Sequence, residues 1–425
     1  MKEYKNRIAD TLLRYRLEEM GAVLVEGLKW CGKTTTCEQQ AKSVIYMDDP
    51  QMKRQYREMA NTQVTSLLNG DTPHLIDEWQ VAPQLWDAIR FEVDHRGQSD
   101  GQFILTGSAV PPQSDRMEHS GTGRIARLRM RTMSLFESGE SSGEVSLEQL
   151  FEGEPDVLGH NSTDLQRVAF LICRGGWPAG LNKSDRAALR IPFDYYDGLI
   201  HRDISRVDGV ERNAEWADRI LRSYARVQGS QASVNTIMQD ILSVSADAMS
   251  GKTVDNYLDA FRKLFVIEDV KAWSPNLRSK TAIRTMDTRY FVDPSIATAA
   301  MGIGPNDLVN DLHTMGFMFE TLCMRDLRVY ADALDGNVYH YRDKGELECD
   351  AVLHLRNGRY ALIEIKLGGD VAIEEAAKNL KRLSNKINTD TMHEPSFCMV
   401  LTAVGQFAYR RTDGIVVVPI GCLRP

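Results

Sequence analysis

Gly27-Leu28-Lys29-Trp30-Cys31-Gly32-Lys33-Thr34 is the stretch of sequence that decides how the first part of this chain folds. It has the spacing G-x-x-x-x-G-K-[ST] and follows the apolar run 22–25, which predicts a buried strand. In a phosphate-binding loop (P-loop) of this kind, backbone N–H groups surround the phosphates, the lysine reaches the β and γ oxygens, and the hydroxyl binds Mg²⁺. We therefore predict a nucleotide site at 27–35, ending on Thr35, with Lys33 on the phosphates and Thr34 on the metal. The alternative is an ordinary glycine-rich turn.

Polar side chains end the two apolar runs that follow. Asp77 and Glu78 come directly after the run 74–76. A strand-end Asp holds Mg²⁺ in P-loop NTPases and an adjacent Glu is placed to polarise water, so Asp77 is the predicted metal ligand and Glu78 the predicted general base. Thr106 ends the next run, where we expect its hydroxyl to sense the γ-phosphate or position the water. In the alternative interpretation the acids are merely solvated, and Thr106 and Ser108 cap a turn.

Two further features concern the nucleotide and the catalytic charge. A glutamate beside the metal-binding Asp, followed by a polar-tipped strand, suits hydrolytic ATPases better than small G proteins and favours ATP. Phosphoryl transfer also gains from an arginine near the γ-phosphate. Arg124, in a glycine-rich stretch, is the predicted arginine, with Arg202 and Arg206 as alternatives. An arginine from a second copy would require a homo-oligomer, whereas an ordinary surface ion pair is worth under about 1 kcal/mol.

Length and composition limit the class of protein. With 425 residues and 43% hydrophobic residues, the chain is long enough for two or three domains with real cores. Its net charge of −8 provides no overall basic field, so nucleic-acid binding would need a local patch. The 7 cysteines form no CxxC pair, which argues against a zinc module and fits a reducing cytosol. We find no signal peptide and no apolar run of membrane-spanning length, and therefore expect a cytoplasmic protein without a membrane partner.

The order of predicted elements divides the chain into three domains. Strand and helix signals alternate around the P-loop, which predicts a doubly wound parallel sheet with helices on both faces. We assign 1–160 to this P-loop ATPase domain, 161–310 to a mainly helical domain and 311–425 to an α+β domain. The acidic segments 136–144 and 152–156, which are rich in small residues, predict a surface connection or linker.

The middle domain ends in the outline of a winged helix. A helix pair is predicted within 232–264 and two short strands within 266–292, joined by a basic loop. DNA-binding proteins use basic side chains of this kind to contact phosphates and the edges of bases in the grooves. The predicted nucleic-acid contacts are Arg278, Lys280, Arg284 and Arg289. Asp255 and Asp259 on the second helix favour the alternative, a structural or oligomerising module.

The last domain carries acidic and basic residues on a predicted hairpin. Asp350 lies on the first strand, and Glu364 and Lys366 share one face of the second. This order matches the PD-(D/E)xK nuclease pattern, in which a carboxylate pair holds Mg²⁺ and the lysine orients the attacking water. Glu320, on the preceding helix, is expected to face the same pocket. The alternative is a nuclease-like fold that is used only for binding.

The turn between those two strands decides whether the residues meet. With a two-residue turn at Asn357-Gly358, Asp350 falls on the face opposite to Glu364. A three-residue loop or a bulge moves Asp350 opposite Glu364 or Lys366. The metal site therefore requires an irregular turn. Two acids brought that close without a metal should also repel, which raises the pKa of at least one.

These segments together resemble the prokaryotic AAA-type ATPases whose C-terminal half is the DUF4143 domain. The resemblance covers essentially the whole chain, and Leu28 departs from it where relatives often have Pro. It rests on 25–36, 75–80, 103–108, 119–125, 175–178, 201–204 and 361–366. The resemblance implies ATP binding, a winged-helix-like middle domain and a restriction-endonuclease-like C-terminal domain.

Three functions follow from these patterns, in the order in which the sequence favours them. The first is an Mg²⁺-dependent ATPase that acts as a switch or remodeller, with C-terminal domains that bind nucleic acid or a protein. The second is an ATP-regulated, metal-dependent nuclease. The third is a nucleotide-sensing scaffold that binds ATP and barely turns it over.

Overall fold

The computed structural model describes residues 4–97, 100–109, 121–153, 156–243, 249–275, 286–343, 345, 347–387 and 392–425. Within these ranges, every helix falls short of the length or the apolar character that a membrane crossing needs. The chain divides into two compact units. The first comprises Met1–Arg131, Arg202–Glu211 and Ala260–Phe265, and the second comprises Thr132–His201, Arg212–Asp259 and Val266–Pro425.

The first unit is built on a parallel sheet of five strands in the order β2-β3-β4-β1-β5, which confirms the predicted parallel sheet. Its elements are α1 (Ile8–Glu19), β1 (Ala22–Glu26), α2 (Lys33–Glu38), β2 (Ser43–Tyr46), α3 (Lys53–Thr62), β3 (His74–Asp77), α4 (Gln84–His95), β4 (Phe103–Gly107) and β5 (Ile125–Arg129). The strand β4 lies between β1, which leads into the P-loop, and β3, which ends at the acids. The ends of all three strands therefore meet at one edge of the sheet.

The core of this unit holds the acidic strand end in place. The strands β3 and β4 are buried along their whole length, as expected for parallel strands covered on both faces. Trp79, directly after the acids, is 1% exposed and packs against Trp86 with ring centroids 5.1 Å apart. Burying an aromatic side chain of this size contributes roughly 1.5–3 kcal/mol. The segment after Glu78 is thereby anchored in the core.

The second unit contains a helical part followed by a larger sheet. Its helices are α5 (Leu135–Ser138), α6 (Leu147–Glu152), α7 (Leu165–Arg174), α8 (Asp185–Gly198), α9 (Ala214–Arg226), α10 (Val234–Leu242), α11 (Gly251–Lys263, of which residues 260–263 belong to the first unit), α12 (Pro294–Met301), α13 (Pro305–Asn310), α14 (Leu312–Ala333) and α15 (Asp370–Lys386). Its strands are β6 (Val145–Ser146), β7 (Gly159–His160), β8 (Gly336–Arg342), β9 (Glu348–Leu355), β10 (Tyr360–Lys366), β11 (Phe397–Thr402), β12 (Phe407–Arg410), β13 (Val416–Pro419) and β14 (Leu423–Arg424). Seven strands form one sheet in the order β7-β12-β13-β11-β10-β9-β8, and β14 pairs with β6.

The two predicted linker segments, 136–144 and 152–156, belong to the second unit, and the strands β6 and β7 come directly after 136–144 and shortly after 152–156. The strand β6 pairs with β14, and β7 pairs with β12. Small residues in 136–144 and just before it cap a helix: the Ser134 hydroxyl accepts from the N–H of Glu137 at the start of α5, and Gly139 ends that helix at φ 80°. Ser and Gly are common both in flexible linkers and in helix caps, so composition alone does not separate the two.

The winged-helix outline appears only in part. The helices α10 and α11 form where predicted, but the two following strands meet through the isolated antiparallel bridges Ile267↔Phe291 and Val270↔Thr288. Arg278, Lys280 and Arg284 lie outside the described residues. Arg289 is described, and its guanidinium donates to Asp269 Oδ2 at 2.9 Å and to the carbonyl of Ala232 at 3.0 Å. That side chain is only 12% exposed and is engaged within the chain rather than presented to a partner.

Candidate functional site

The backbone of the P-loop passes close to the segment that follows β5 in the same chain. A Cβ atom at Gly27 would lie 2.0 Å from the carbonyl oxygen of Met130, so a larger residue does not fit there. Gly32 has φ 100°, a left-handed conformation that favours glycine, and α2 begins at the next residue, Lys33. Both glycines of the motif are therefore required by the geometry of the loop.

The lysine and the hydroxyl of the motif point to the same edge of the sheet. Lys33 is 6% exposed, and its ammonium group donates to the carbonyl oxygens of Gly27 and Leu28, each at 2.9 Å. The Thr34 hydroxyl donates to Asp77 Oδ1 at 2.7 Å. The structure thus brings together the predicted phosphate ligand and both predicted metal ligands.

Thr106 joins these groups from the end of β4. Its hydroxyl donates to Asp77 Oδ1 at 2.6 Å and accepts from the backbone N–H of Glu78 at 2.9 Å. The side chain is fully buried. Thr106 thus contacts the acidic strand end, and its contact with the γ-phosphate or the water stays a prediction. Thr106 orients Asp77 and the backbone of Glu78.

Glu78 has an unusual backbone and a restrained carboxylate. Its φ of 54° and ψ of 47° lie in the left-handed region, which a residue with a side chain seldom adopts. Its Oε2 accepts from Ser108 Oγ at 3.1 Å and from the side-chain amide of Gln80. Burial raises the pKa of Glu78 above the ordinary glutamate value; Lys33 opposes this rise and Asp77 adds to it. A carboxylate with a raised pKa is a better proton acceptor at neutral pH.

Arg124 lies at the opposite edge of the sheet from the P-loop. Its carbonyl accepts from the N–H of Ala22, the first residue of β1, whereas the P-loop follows the last residue, Glu26. Five residues of strand separate the two edges, roughly 16 Å at about 3.3 Å per residue. The Arg124 guanidinium instead pairs with Asp94 at 3.0 Å and lowers the pKa of that carboxyl. This corrects the prediction that Arg124 reaches a nucleotide in its own chain.

The alternative arginines belong to the same compact unit as the P-loop. Lys29, inside the P-loop, forms an ion pair with Asp203. Arg202 and Arg206 flank that aspartate and are both exposed. Asp203 ends the π-helical turn Leu199–Asp203, an irregularity that is frequent at functional sites. The family resemblance includes Asp203 within 201–204, but its contact with Lys29 could not be predicted, since the two residues are 174 residues apart.

A tetrapeptide elsewhere in the chain fits the guanine-reading spacing Asn-Lys-x-Asp. It occupies 182–185 in the second unit, where Ser184 is the N-cap of α8 and Asp185 its first residue. It does not follow a strand of the sheet that carries the P-loop. The spacing Asn-Lys-x-Asp is therefore present at 182–185, but there it forms the start of a helix.

The C-terminal candidates meet because the hairpin turn is irregular. The N–H of Leu355 donates to the carbonyl of Arg359 at 2.8 Å, which leaves the three-residue loop 356–358 with Gly358 at φ 89°. Ile363 pairs with Ala351, so the next antiparallel positions are Asp350 and Glu364. The simple two-residue turn is thus excluded.

The Lys366 ammonium group contacts the carboxylates of both Asp350 and Glu364. It is 3.1 Å from Asp350 Oδ2 and 2.8 Å from Glu364 Oε2. Glu364 also accepts from the side-chain amide of Asn379 at 2.7 Å. Burial opposes the charge on Lys366, but the two carboxylates outweigh it and raise the pKa of the lysine.

Glu320 belongs to the same group of acids. It is an acceptor for the Tyr290 hydroxyl. Burial and the charge of Asp350 raise the pKa of Glu320 to about 8, and the same two causes raise the pKa of Glu364 to about 7. In the part of the chain that the structure describes, no three His, Cys, Asp or Glu side chains are arranged to hold a metal ion. The four predicted residues are therefore assembled, but not as a three-ligand metal group.

The sheet and the P-loop edge define the first unit as a P-loop nucleotide-binding fold. Comparison with protein families agrees and is more specific. Residues 19–138 match an AAA domain, 315–423 match a domain of unknown function (DUF4143), and 165–307 match a second domain of unknown function (DUF8612). The chain thus combines an AAA domain with a C-terminal DUF4143 domain, as the sequence resemblance predicted.

Some solved structures also have limited similarity to the chain. A Walker-type ATPase of Pyrococcus abyssi is 15% identical with a TM-score of 0.42, covering 71% of this chain and 99% of that one. The Aeropyrum pernix ORC1 protein in complex with DNA is 14% identical with a TM-score of 0.23, covering 73% and 95%. The RuvB Holliday junction branch migration motor of Thermotoga maritima is 14% identical with a TM-score of 0.25, covering 62% and 89%. No curated protein matches the chain.

Proposed function

We propose that this chain is an Mg²⁺-dependent ATPase whose nucleotide state controls its middle and C-terminal domains. The observation that carries the proposal is the meeting of Thr34 and Asp77, 2.7 Å apart, beside the buried ammonium group of Lys33. A hydroxyl, a carboxylate and a lysine at the end of a parallel sheet are the parts that a P-loop NTPase requires.

The residues present fit a magnesium ion. Thr34 and Asp77 supply oxygen ligands, and Mg²⁺ in nucleotide sites is held by one or two carboxylates together with substrate phosphates and waters. When bound, the ion would neutralise charge on the β and γ oxygens. Lys33 and the backbone of the P-loop would hold the phosphates. Glu78 would accept a proton from the attacking water, for which its raised pKa suits it.

An arginine near the γ-phosphate completes the proposal. Arg202 and Arg206 replace Arg124 as the candidates within one chain, because Asp203 between them contacts Lys29 of the P-loop. Arg124 remains a candidate only toward the site of a second copy, which would make the active form a homo-oligomer. Activity that rises with protein concentration would support that arrangement.

ATPase assays separate hydrolysis from the competing function, in which the same site binds ATP and barely turns it over. If the chain is an ATPase, purified protein should hydrolyse ATP in Mg²⁺, lose activity with EDTA, and prefer ATP to GTP when the two compete. Stimulation by DNA without cleavage would support a switch that acts on nucleic acid through the winged-helix-like part. ATP binding with negligible hydrolysis in every condition would leave the nucleotide-sensing scaffold.

A second candidate function, metal-dependent cleavage, rests on the contact of Lys366 with both Asp350 and Glu364. These residues and Glu320 follow the order of a PD-(D/E)xK site. Among the residues that the structure describes, no three His, Cys, Asp or Glu side chains are placed to hold a metal ion, which weakens this candidate. Incubation with single- and double-stranded DNA in Mg²⁺ or Mn²⁺ tests it. Nicking that disappears in Asp350→Asn would support the nuclease.

A further inference from the structure

Gln80 contacts the predicted general base, although no motif assigns it a role. Its side-chain amide donates to Glu78 Oε2, the oxygen that also accepts from Ser108. Two donors from different parts of the chain therefore fix one carboxylate. A carboxylate held in this way is restricted to a narrow range of positions at the edge of the sheet.

The backbone keeps Gln80 in this place. Glu78 directly follows β3 and has a left-handed conformation, which is unfavourable for a non-glycine residue and is frequent at functional sites. A short 3₁₀ turn, Trp79–Val81, follows directly, and the N–H of Val81 donates to the carbonyl of Glu78 at 3.0 Å. Because Trp79 is buried in the core, Gln80 is attached to a rigid turn.

The other end of the Gln80 amide is buried and unused. Its Oε1 atom has no hydrogen-bond partner in the described part of the chain. A buried acceptor without a partner is unfavourable, so a second donor such as a water molecule is favoured beside it. This acceptor is carried by the same side chain that holds Glu78.

We propose that Gln80 positions both the general base and the attacking water. Its N–H group holds the Glu78 carboxylate, and its free carbonyl accepts one hydrogen of the water. The water oxygen then bonds to the γ-phosphorus, its other proton passes to Glu78, and the bond from the γ-phosphorus to the oxygen that stays with ADP breaks. This inference rests on the proposed ATPase function.

The test compares Gln80→Leu with a matched control, Gln84→Leu. Gln84 also has a buried carbonyl oxygen without a partner in the described residues, but its amide donates to Asn61 instead. We expect Gln80→Leu to lower kcat by about 10- to 100-fold, with the Kd for ATP changed less than about twofold. Gln84→Leu should leave both values near those of the parent.

A double-mutant cycle separates positioning from structural damage. If Gln80 acts through Glu78, adding Gln80→Leu to Glu78→Gln should lower the remaining rate much less than it lowers the parent rate. After incubation with ATP, Gln80→Leu should also retain ATP rather than ADP, as measured on the isolated protein. Gln80→Asn, which keeps a shorter amide, should recover part of the rate.

Four results would overturn the inference. Equal kcat for the Gln80 and Gln84 variants would do so, as would fully additive losses in the cycle. A parallel loss of ATP affinity in Gln80→Leu would assign Gln80 to binding instead. A parent protein that does not hydrolyse ATP at all would overturn the ATPase proposal as well, and is thereby distinguishable from the other outcomes.

Discussion

The Thr34 hydroxyl and the Asp77 carboxylate lie 2.7 Å apart, although they are 43 residues apart in sequence. Thr34 comes after β1 and Asp77 ends β3, and these two strands are not neighbours in the sheet. The strand β4 between them carries Thr106, which hydrogen-bonds to the same oxygen of Asp77. The acidic end of the site is therefore organised across three strands. A change at any of them is expected to act on nucleotide handling.

Removing the P-loop lysine should abolish most nucleotide affinity. In Lys33→Ala, the loss of one charge-assisted contact, worth about 1.5–3 kcal/mol, should weaken ATP binding by about 10- to 150-fold. Titration with a fluorescent ATP analogue measures this. Lys183→Ala, at an exposed position in the second unit, is the control. Equal affinity in the two variants would contradict the assignment of Lys33.

Replacing the base should separate binding from turnover. Glu78→Gln keeps the size of the side chain but cannot accept the proton, so hydrolysis should fall by at least about 100-fold. The Kd for ATP should stay close to that of the parent, because Glu78 is not a predicted phosphate ligand. Single-turnover kinetics and equilibrium binding together measure the two effects. Hydrolysis at the parent rate would show that another group activates the water.

The P-loop and the acids were predictable because each is a short, contiguous motif with a fixed place in its fold. The location of Arg124 was also predictable in principle. It directly precedes a strand that runs parallel to β1, and a residue before such a strand lies at the edge away from the P-loop.

Other features could not be obtained from local sequence. Asn357-Gly358 is compatible with both a two-residue and a three-residue hairpin loop, and the choice depends on how the two strands pair. The contact between Lys29 and Asp203 depends on tertiary structure across 174 residues. The folding of 134–160 into the second unit depends on pairing with β12 and β14, far along the chain.

Arg202 and Arg206 should affect ATP hydrolysis, whereas Arg124 at the opposite end of the strands should not. Arg202→Ala or Arg206→Ala should lower kcat, by up to about 10³-fold if that arginine stabilises the transferring phosphoryl group. Arg124→Ala should not change kcat at protein concentrations where the chain is monomeric, because its partner there is Asp94. Rates across a dilution series, measured with sedimentation, check this. A large loss in Arg124→Ala together with concentration-dependent activity would instead favour an arginine supplied by a second copy.

The partly buried acid Glu320 should make the stability of the protein depend on pH. Its pKa of about 8 in the folded protein, against an ordinary value of 4.5, means that the folded state holds this proton more tightly than the unfolded state. The contribution of protonated Glu320 to the free energy of unfolding is therefore fully present below about pH 4.5 and is lost as the pH rises toward 8. Glu320→Gln stays neutral at every pH and keeps a group that can bond to Tyr290. The free energy of unfolding of Glu320→Gln should therefore exceed that of the parent by an amount that increases from pH 5 to pH 9.

Urea unfolding at pH 5, 7 and 9 measures that gap, and the linkage predicts a difference on the order of a few kcal/mol across the range. Glu375→Gln, at an exposed position on α15, is the matched control and should follow the parent. If Glu320→Gln and the parent change in parallel with pH, Glu320 is ionised in the folded state and the acids do not repel one another as proposed. If Mg²⁺ or Mn²⁺ stabilises the parent at pH 9 and fails to stabilise Asp350→Asn, the cluster binds a cation once its acids are charged. That outcome would strengthen the case for cleavage at Asp350, Glu364 and Lys366.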